Sequence, residues 1–234
     1  MRQAKSLLRN AKCLEIRFDR AAKTVFIDTV ARFSSVGARP YYMCKAGDNF
    51  ISGNSLNPDC WYALYDNSGK VTSEVEALSF PELKTSNADL SASMMLSSVY
   101  GSDHDGTRIC VANVLSASLS FAIVKDGKID EYKRIQYMPP KIQGHGFSPE
   151  SHSCFNAVSA TNDAVFVLYS GRTINDPVPC DECEYLVRYS WEGTPERLYR
   201  LSQSLSAICC SEGQLYGLSS YPSPQLFIVP DIER

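Results

Sequence analysis

Four side chains in the C-terminal half have types that could hold a metal. "QGHGFSPESHS" carries His145 and His152, and "VPCDECEY" carries Cys180 and Cys183. Two imidazoles and a C-x2-C pair are donors that a tetrahedral zinc site uses. The H-x6-H spacing is not one that zinc modules share, so the same cysteines also read as a local disulfide or as free thiols. Redox work of the thioredoxin kind needs a strand-to-helix setting around C-x-x-C, and none surrounds this pair. Nucleophilic catalysis has less to build on: the chain has three histidines, no G-x-S-x-G, and no glycine loop that opens a helix to cradle phosphate.

A second set suits ligand contact. Arg172 follows a strand end in "YSGR", where a guanidinium can fork onto a carboxylate or, equally, salt a neighbouring loop. Tyr100 could stack on a ligand or simply pack. Asn54 and Asn113 join these as ligand-facing residues, and with Asp163 they are also thinkable oxygen donors for a metal that activates water. No acidic residue recurs at an equivalent place along the chain. The expected cofactor is therefore none, with zinc or calcium as the alternatives left open.

These residues need a scaffold, and the sequence repeats one. "EYLVRYSWEGTPERLYRL" alternates apolar with polar side chains, turns at Gly193, and alternates again; "WYALYDNSGKVTSEVEAL" and "FAIVKDGKIDEYKRI" do the same around Gly69 and Gly127. Glycine supplies the positive φ that tight hairpin turns need, and Asp66, Asn67 and Asp126 add local side-chain hydrogen bonds. A looser copy is "LEIRFDRAAKTVFIDTV", and "PQLFIVPDIER" resembles a first half. A second set of hairpins alternates with these, turning near residues 47, 106, 162 and 212, a spacing of roughly 55 residues. One period thus holds four strands, A to D. It predicts an all-β chain of four-stranded antiparallel blades, about four to five of them, arranged as a β-propeller. The A strands carry Cys44, Ser98, Cys154, Ala157, Ala207, Cys209 and Cys210, small side chains suited to a crowded centre. Longer polar loops are expected at 79–93, 136–152 and 171–183.

Bulk properties limit the partners. A chain of 234 residues with 44% hydrophobic content can bury a core as one all-β domain. A formal charge of −3 provides no basic field for a phosphate backbone, so nucleic acid is not expected. Arg2, Lys5, Arg9 and Lys12 surround only Leu7 and Leu8, too few apolar residues for an export signal or membrane span. Residues 1–12 are expected to extend from a propeller domain spanning 13–234.

The runs "NFISGN…WYALYDNSGKV", "VYGSDHDGTRICVANVLSASLSFAIVKDGKI", "VFVLYSGRTI" and "YLVRYSWEGTPERLYRLSQSLSAICCSEGQLYGLSS" are similar to the TolB-like six-bladed propeller proteins of bacterial envelopes, mostly of unknown function. Tyr169-Ser170-Gly171-Arg172 and the turn at Gly193 are the most specific elements. The resemblance implies a non-catalytic module of the periplasm or cell envelope that binds a protein, peptide or glycan, with Tyr41, Tyr42, Trp61 and Tyr221 as candidate contact aromatics. A metal-dependent hydrolase of lactones or esters, of the gluconolactonase type, is the alternative. Members of that family carry an export signal and further N-terminal blades that this sequence does not show. Either "CLEIRFD" or "TVFIDTV" is then expected to pair with "LFIV" and complete the last blade, or the edge stays open, giving a monomer or an edge-paired dimer.

Overall fold

Alternation with glycine-marked turns dictates hairpins, and hairpins in series make the molecule. The structure, a computed structural model, describes residues 11–19, 23–33, 42–53, 57, 59–80, 97–144, 146–211 and 213–229. The first blade pairs β3 (Cys44–Ala46), β4 (Asn49–Ser52), β5 (Cys60–Tyr65) and β6 (Val71–Glu76) in that order; it follows a separate hairpin of β1 (Ala11–Asp19) and β2 (Thr24–Phe33). The second blade joins β7 (Ser98–Ser102), β8 (Arg108–Asn113), β9 (Ser118–Lys125) and β10 (Lys128–Gln136). A short pair, β11 (Ile142–Gln143) and β12 (Gly146–Phe147), precedes the third blade of β13 (Phe155–Ala160), β14 (Val165–Tyr169), β15 (Cys183–Tyr189) and β16 (Pro195–Leu205). The fourth sheet has three strands, β17 (Ala207–Ser211), β18 (Gln214–Ser219) and β19 (Gln225–Val229). All pairings are antiparallel, and no helix occurs among the described residues.

The turns follow from side-chain chemistry. Asp126 and Gly127 both take positive φ, 51° and 71°, the backbone that joins two strands through a two-residue loop. Between β5 and β6, Asp66 Oδ1 accepts from the N–H of Ser68 and of Lys70, each at 2.9 Å.

The core lies between blades. The inner strands β3, β7, β13 and β17 lie side by side in that order, so the sheets fan from a shared inner line. Ile51, Leu64 and Val75 of the first blade meet Ile109, Val111 and Val124 of the second. Leu119 and Phe121 of the second meet Phe155, Val165 and Val167 of the third. Phe166, Leu168 and Leu186 of the third meet Leu215, Phe227 and Val229 of the fourth. Apolar burial of this kind is worth about 25 cal/mol per Å², and a four-stranded sheet secures it only against a neighbouring sheet.

Two sequence expectations change. Neither N-terminal strand pairs with "LFIV": β1 bonds β2 from Asp19↔Thr24 to Ala11↔Phe33, and among the described strands β19 bonds only β18. A hairpin closed over a few residues loses less chain entropy than a pairing across some 200, a difference of about 3 kcal/mol. Trp61, a candidate contact aromatic, is fully buried and donates from its indole N–H to Ser98 Oγ at 3.0 Å. Tyr42 and Tyr221 are exposed, while Tyr41 lies outside the described residues. Of the N-terminal segment expected at 1–12, residues 1–10 also lie outside them, and β1 opens at Ala11.

Candidate functional site

The chain leaving β10 meets Pro139 and Pro140, which fix φ and offer no N–H, so the strand cannot continue. It turns through the β11–β12 pair and returns along Ser148–Cys154 into β13. Ser148 N–H donates to Lys141 O at 2.9 Å and Ser151 N–H to Ser148 O at 2.8 Å, closing the loop on itself. It is anchored to the third blade by Ser153 N–H on Arg172 O at 2.8 Å and Ile174 N–H on Ser151 O at 2.9 Å. A groove of about 630 Å³ results, with Met138, Pro139, Pro140 and Ile142 as apolar lining and Lys141, Glu150 and His152 as charged or titratable groups. Lys141 and Glu150 pair at 3.2 Å, and both are exposed.

His152 stands where this loop touches the segment after β14. Its Nδ1 lies 2.8 Å from Gly171 O, so in the neutral ring Nδ1 carries the proton and Nε2 is the free acceptor. The loop ahead of β13 and the β14–β15 loop therefore share one face, as their order along the chain predicts. Asn156 strengthens the junction, donating from Nδ2 to Cys180 O at 3.3 Å and lying 3.5 Å from Cys183 Sγ. Cys180 and Cys183 are free thiols. Burial pushes the Cys183 thiol up to about 12. His145 lies outside the described residues, and among those described no three His, Cys, Asp or Glu side chains gather as a metal set.

Arg172 is engaged by its own loop and the start of β15. Its Nη2 meets Glu184 Oε1, Nη1 lies 3.5 Å from Asp176 Oδ1, and Nε donates to Glu182 O at 3.3 Å. Tyr100 is half-buried beside the first blade, and burial raises its hydroxyl above the ordinary phenol value. Asn113 is fully buried: Oδ1 accepts from the N–H of Leu115 and of Ser116 and from Ser116 Oγ, each at 3.0 Å, while Nδ2 donates to Ser98 Oγ. Asn54 lies outside the described residues. Asp163 lies in the β13–β14 turn, at the other end of the blades from Asn113, lining a cleft of about 220 Å³ with Arg188 and Gln214.

The most concentrated polar cluster is one that the motifs did not reveal. Glu182, fully buried, accepts at Oε1 from Ser220 N–H and Ser220 Oγ, both at 2.7 Å, and from Tyr221 N–H at 2.8 Å. Oε2 accepts from Ser204 Oγ at 2.9 Å and Ser219 Oγ at 3.3 Å. Burial raises the carboxyl pKa, but the donors, Ser220 foremost, outweigh it and hold the group below its ordinary value. With every acceptor direction filled, Glu182 ties the third blade to the fourth.

The fold is that of a β-propeller. The chain is similar to the WD40 β-propeller domain of Doa1, with a TM-score of 0.51 and 11% identity over 94% of this chain and 60% of that one. It is likewise similar to the hydrazine synthase of Kuenenia stuttgartiensis, with a TM-score of 0.51 and 15% identity over 83% of this chain. It spans 47% of that chain, about half its length. No family model and no curated protein sequence matches the chain. At such identities the likeness is one of fold, and no helix among the described residues is long and apolar enough to cross a membrane.

Proposed function

We propose that this propeller is a binding module, and that the groove bounded by Met138–Ile142 and His152 holds an extended peptide or glycan segment. The observation that carries this reading is the groove itself: an apolar lining of Met138, Pro139, Pro140 and Ile142 with Lys141, Glu150 and His152 among the residues that bound it, on the face that both neighbouring loops build. Proline surfaces are rigid before binding, so contact with them loses little entropy. The narrower reading, a TolB-like propeller of the cell envelope, belongs to the same proposal and leans on Tyr169-Ser170-Gly171-Arg172, where Gly171 takes a φ of +69°.

Peptide and glycan arrays probed with the intact chain and with Ile142→Glu test it. Ligands that bind the parent and lose affinity with the variant, at unchanged melting temperature, support the reading. Ligands retained equally by the variant, or turnover of a lactone or ester by the parent, overturn it.

A further inference from the structure

We infer that the cleft of about 220 Å³ between the third and fourth blades is a binding site for a small zwitterion of the ω-amino-acid class, its ammonium on Asp163 and its carboxylate on Arg188. The cleft lies at the end of the blades that carries the β13–β14 turn, away from the groove at Pro139 and Pro140, and the inference does not rest on that groove.

The lining combines three polar groups that are only partly spent. Arg188 places Nη1 2.8 Å from Glu196 Oε2, yet its Nε is buried without a hydrogen-bond partner. Among the described residues it is the one buried side-chain nitrogen or oxygen so placed. A buried donor left unpaired is costly, so a carboxylate laid along the Nε edge gains more than it would on a fully solvated cation. Nε is covered while the side chain as a whole is 30% exposed. The carboxylate therefore meets the exposed end of the guanidinium first, and a small rotation brings Nε into the pair.

Asp163 supplies the opposite sign. It is exposed and lines the same cleft, but Arg188 pairs with Glu196 instead. Its turn is pinned in place: Thr161 Oγ1 accepts from the N–H of Asp163 and of Ala164, each at 3.2 Å, and Trp191 Nε1 donates to Thr161 O at 3.0 Å. Gln214 is the third group. Its Nε2 donates to Val229 O at 3.2 Å, which fixes the amide and leaves the amide oxygen as an acceptor for an ammonium. Phe166, buried, offers apolar surface to the carbon chain between the charges.

The two signs decide the ligand class. A plain anion is repelled by Asp163 and a plain cation by Arg188, whereas a zwitterion satisfies both. Size narrows it further: at about 30 Å³ per water the cleft has room for about seven water-sized groups, too few for a nucleotide or an oligopeptide. Spacing does the rest. Asp163 stands three residues before Phe166, the partner of Arg188 across β14 and β15, a separation of about 10 Å at ~3.3 Å per residue. Charges set apart in this way suit a ligand with its ammonium and carboxylate at opposite ends of a short carbon chain, not an α-amino acid with both on one carbon.

Calorimetric titration of the intact chain with glycine, β-alanine, γ-aminobutyrate, δ-aminovalerate and ε-aminohexanoate tests this, with butyrate and butylamine as controls of matching size. One site per chain is expected, tightest for γ-aminobutyrate or δ-aminovalerate, with butyrate and butylamine about tenfold weaker. Asp163→Asn, on an exposed turn, should weaken γ-aminobutyrate about tenfold at unchanged melting temperature. Arg188→Lys, which keeps a charge for Glu196 but lacks Nε, should do the same. No heat from any of the series at ten millimolar, butyrate or glycine binding as tightly as γ-aminobutyrate, or full affinity retained by Asp163→Asn would each overturn it.

Discussion

Ser220 places both its backbone N–H and its hydroxyl 2.7 Å from Oε1 of Glu182, across 38 residues of chain and from one blade to the next. Because these donors outweigh burial and lower the folded-state pKa, Glu182 contributes stability that is complete above the ordinary carboxylate value of about 4.3 and is lost as pH falls through the depressed one. Glu182→Gln keeps the shape but presents an amide to hydroxyls that now donate to a carboxylate oxygen. We expect a loss of about 1–3 kcal/mol at pH 7. The gap between parent and variant should narrow as pH falls below 4, measured by urea melts across pH 3–7. A gap that stays constant over that range would show that the carboxylate charge is not the stabilising element.

Gly106, in the β7–β8 turn, sits against the backbone of the β3–β4 turn of the first blade. A Cβ there, at a φ of +67°, would lie 2.1 Å from the backbone N of Gly47, and backbone cannot yield as a side chain can. Gly127, at a φ of +71°, has open space around its own Cβ position. Gly127→Ala should cost only the left-handed strain, about 1–2 kcal/mol. Gly106→Ala should cost at least about 2 kcal/mol more, because the first two blades must separate. Thermal melts of the two variants side by side check this, and equal losses would mean that the turns are not in contact in solution.

The hairpins were legible because they are local: an alternating run, Asp126-Gly127, and another run determine a strand pair without reference to the rest of the chain. The same is true of the four-strand period, since each turn near 47, 106, 162 and 212 carries its own glycine or asparagine. The candidate site was less so. Glu182 sits between two cysteines that drew the reading toward metal chemistry, while the groups that define it, Ser204 and Ser219–Tyr221, lie near the end of β16 and at the end of β18 with the turn after it. Asn113 looks like a ligand contact in sequence, yet its amide is spent on the turn that it starts. Pro139 and Pro140 mark a loop, but nothing local says that the loop encloses a groove. The partner of an edge strand is likewise a matter of which closure costs least, as the β1–β2 hairpin shows.

Arg108 pairs within the second blade, Nε to Asp103 Oδ2 at 2.9 Å, and links it to the third through two contacts: Nη2 to Asn162 O at 2.7 Å, and its guanidinium carbon 4.7 Å from the centre of the Trp191 ring. Asp103 is buried, and its carboxyl, which burial alone would raise, is held below the ordinary value by Arg108 and Thr107. Arg108→Ala should cost about 1–3 kcal/mol, because it strands a buried carboxylate as well as removing a stacking cation. Asp103→Asn in the same chain should recover part of that loss. A double-mutant cycle with no coupling would show the pair to be incidental.

Among the described cysteines, burial sets Cys60, Cys110, Cys154 and Cys183 apart from Cys209, and labelling can separate them. Burial pushes the thiols of Cys60 and Cys183 up to about 12 and that of Cys154 up to about 11, and it raises Cys110 further still. At pH 8 a thiol of pKa 12 is ionised to only about one part in ten thousand, and the thiolate is the species that alkylating agents attack. Cys209, by contrast, is exposed on the open face of the fourth sheet. Iodoacetamide at pH 8, read by peptide mass spectrometry, should therefore modify Cys209 first and leave Cys60, Cys110, Cys154 and Cys183 untouched until urea unfolds the blades. The order also reports on the fold, since Cys110 and Cys154 lie in the packing between the second and third blades and cannot be reached without parting them. Native-state labelling of Cys110 at the rate of Cys209 would mean that those two blades do not pack as a unit in solution.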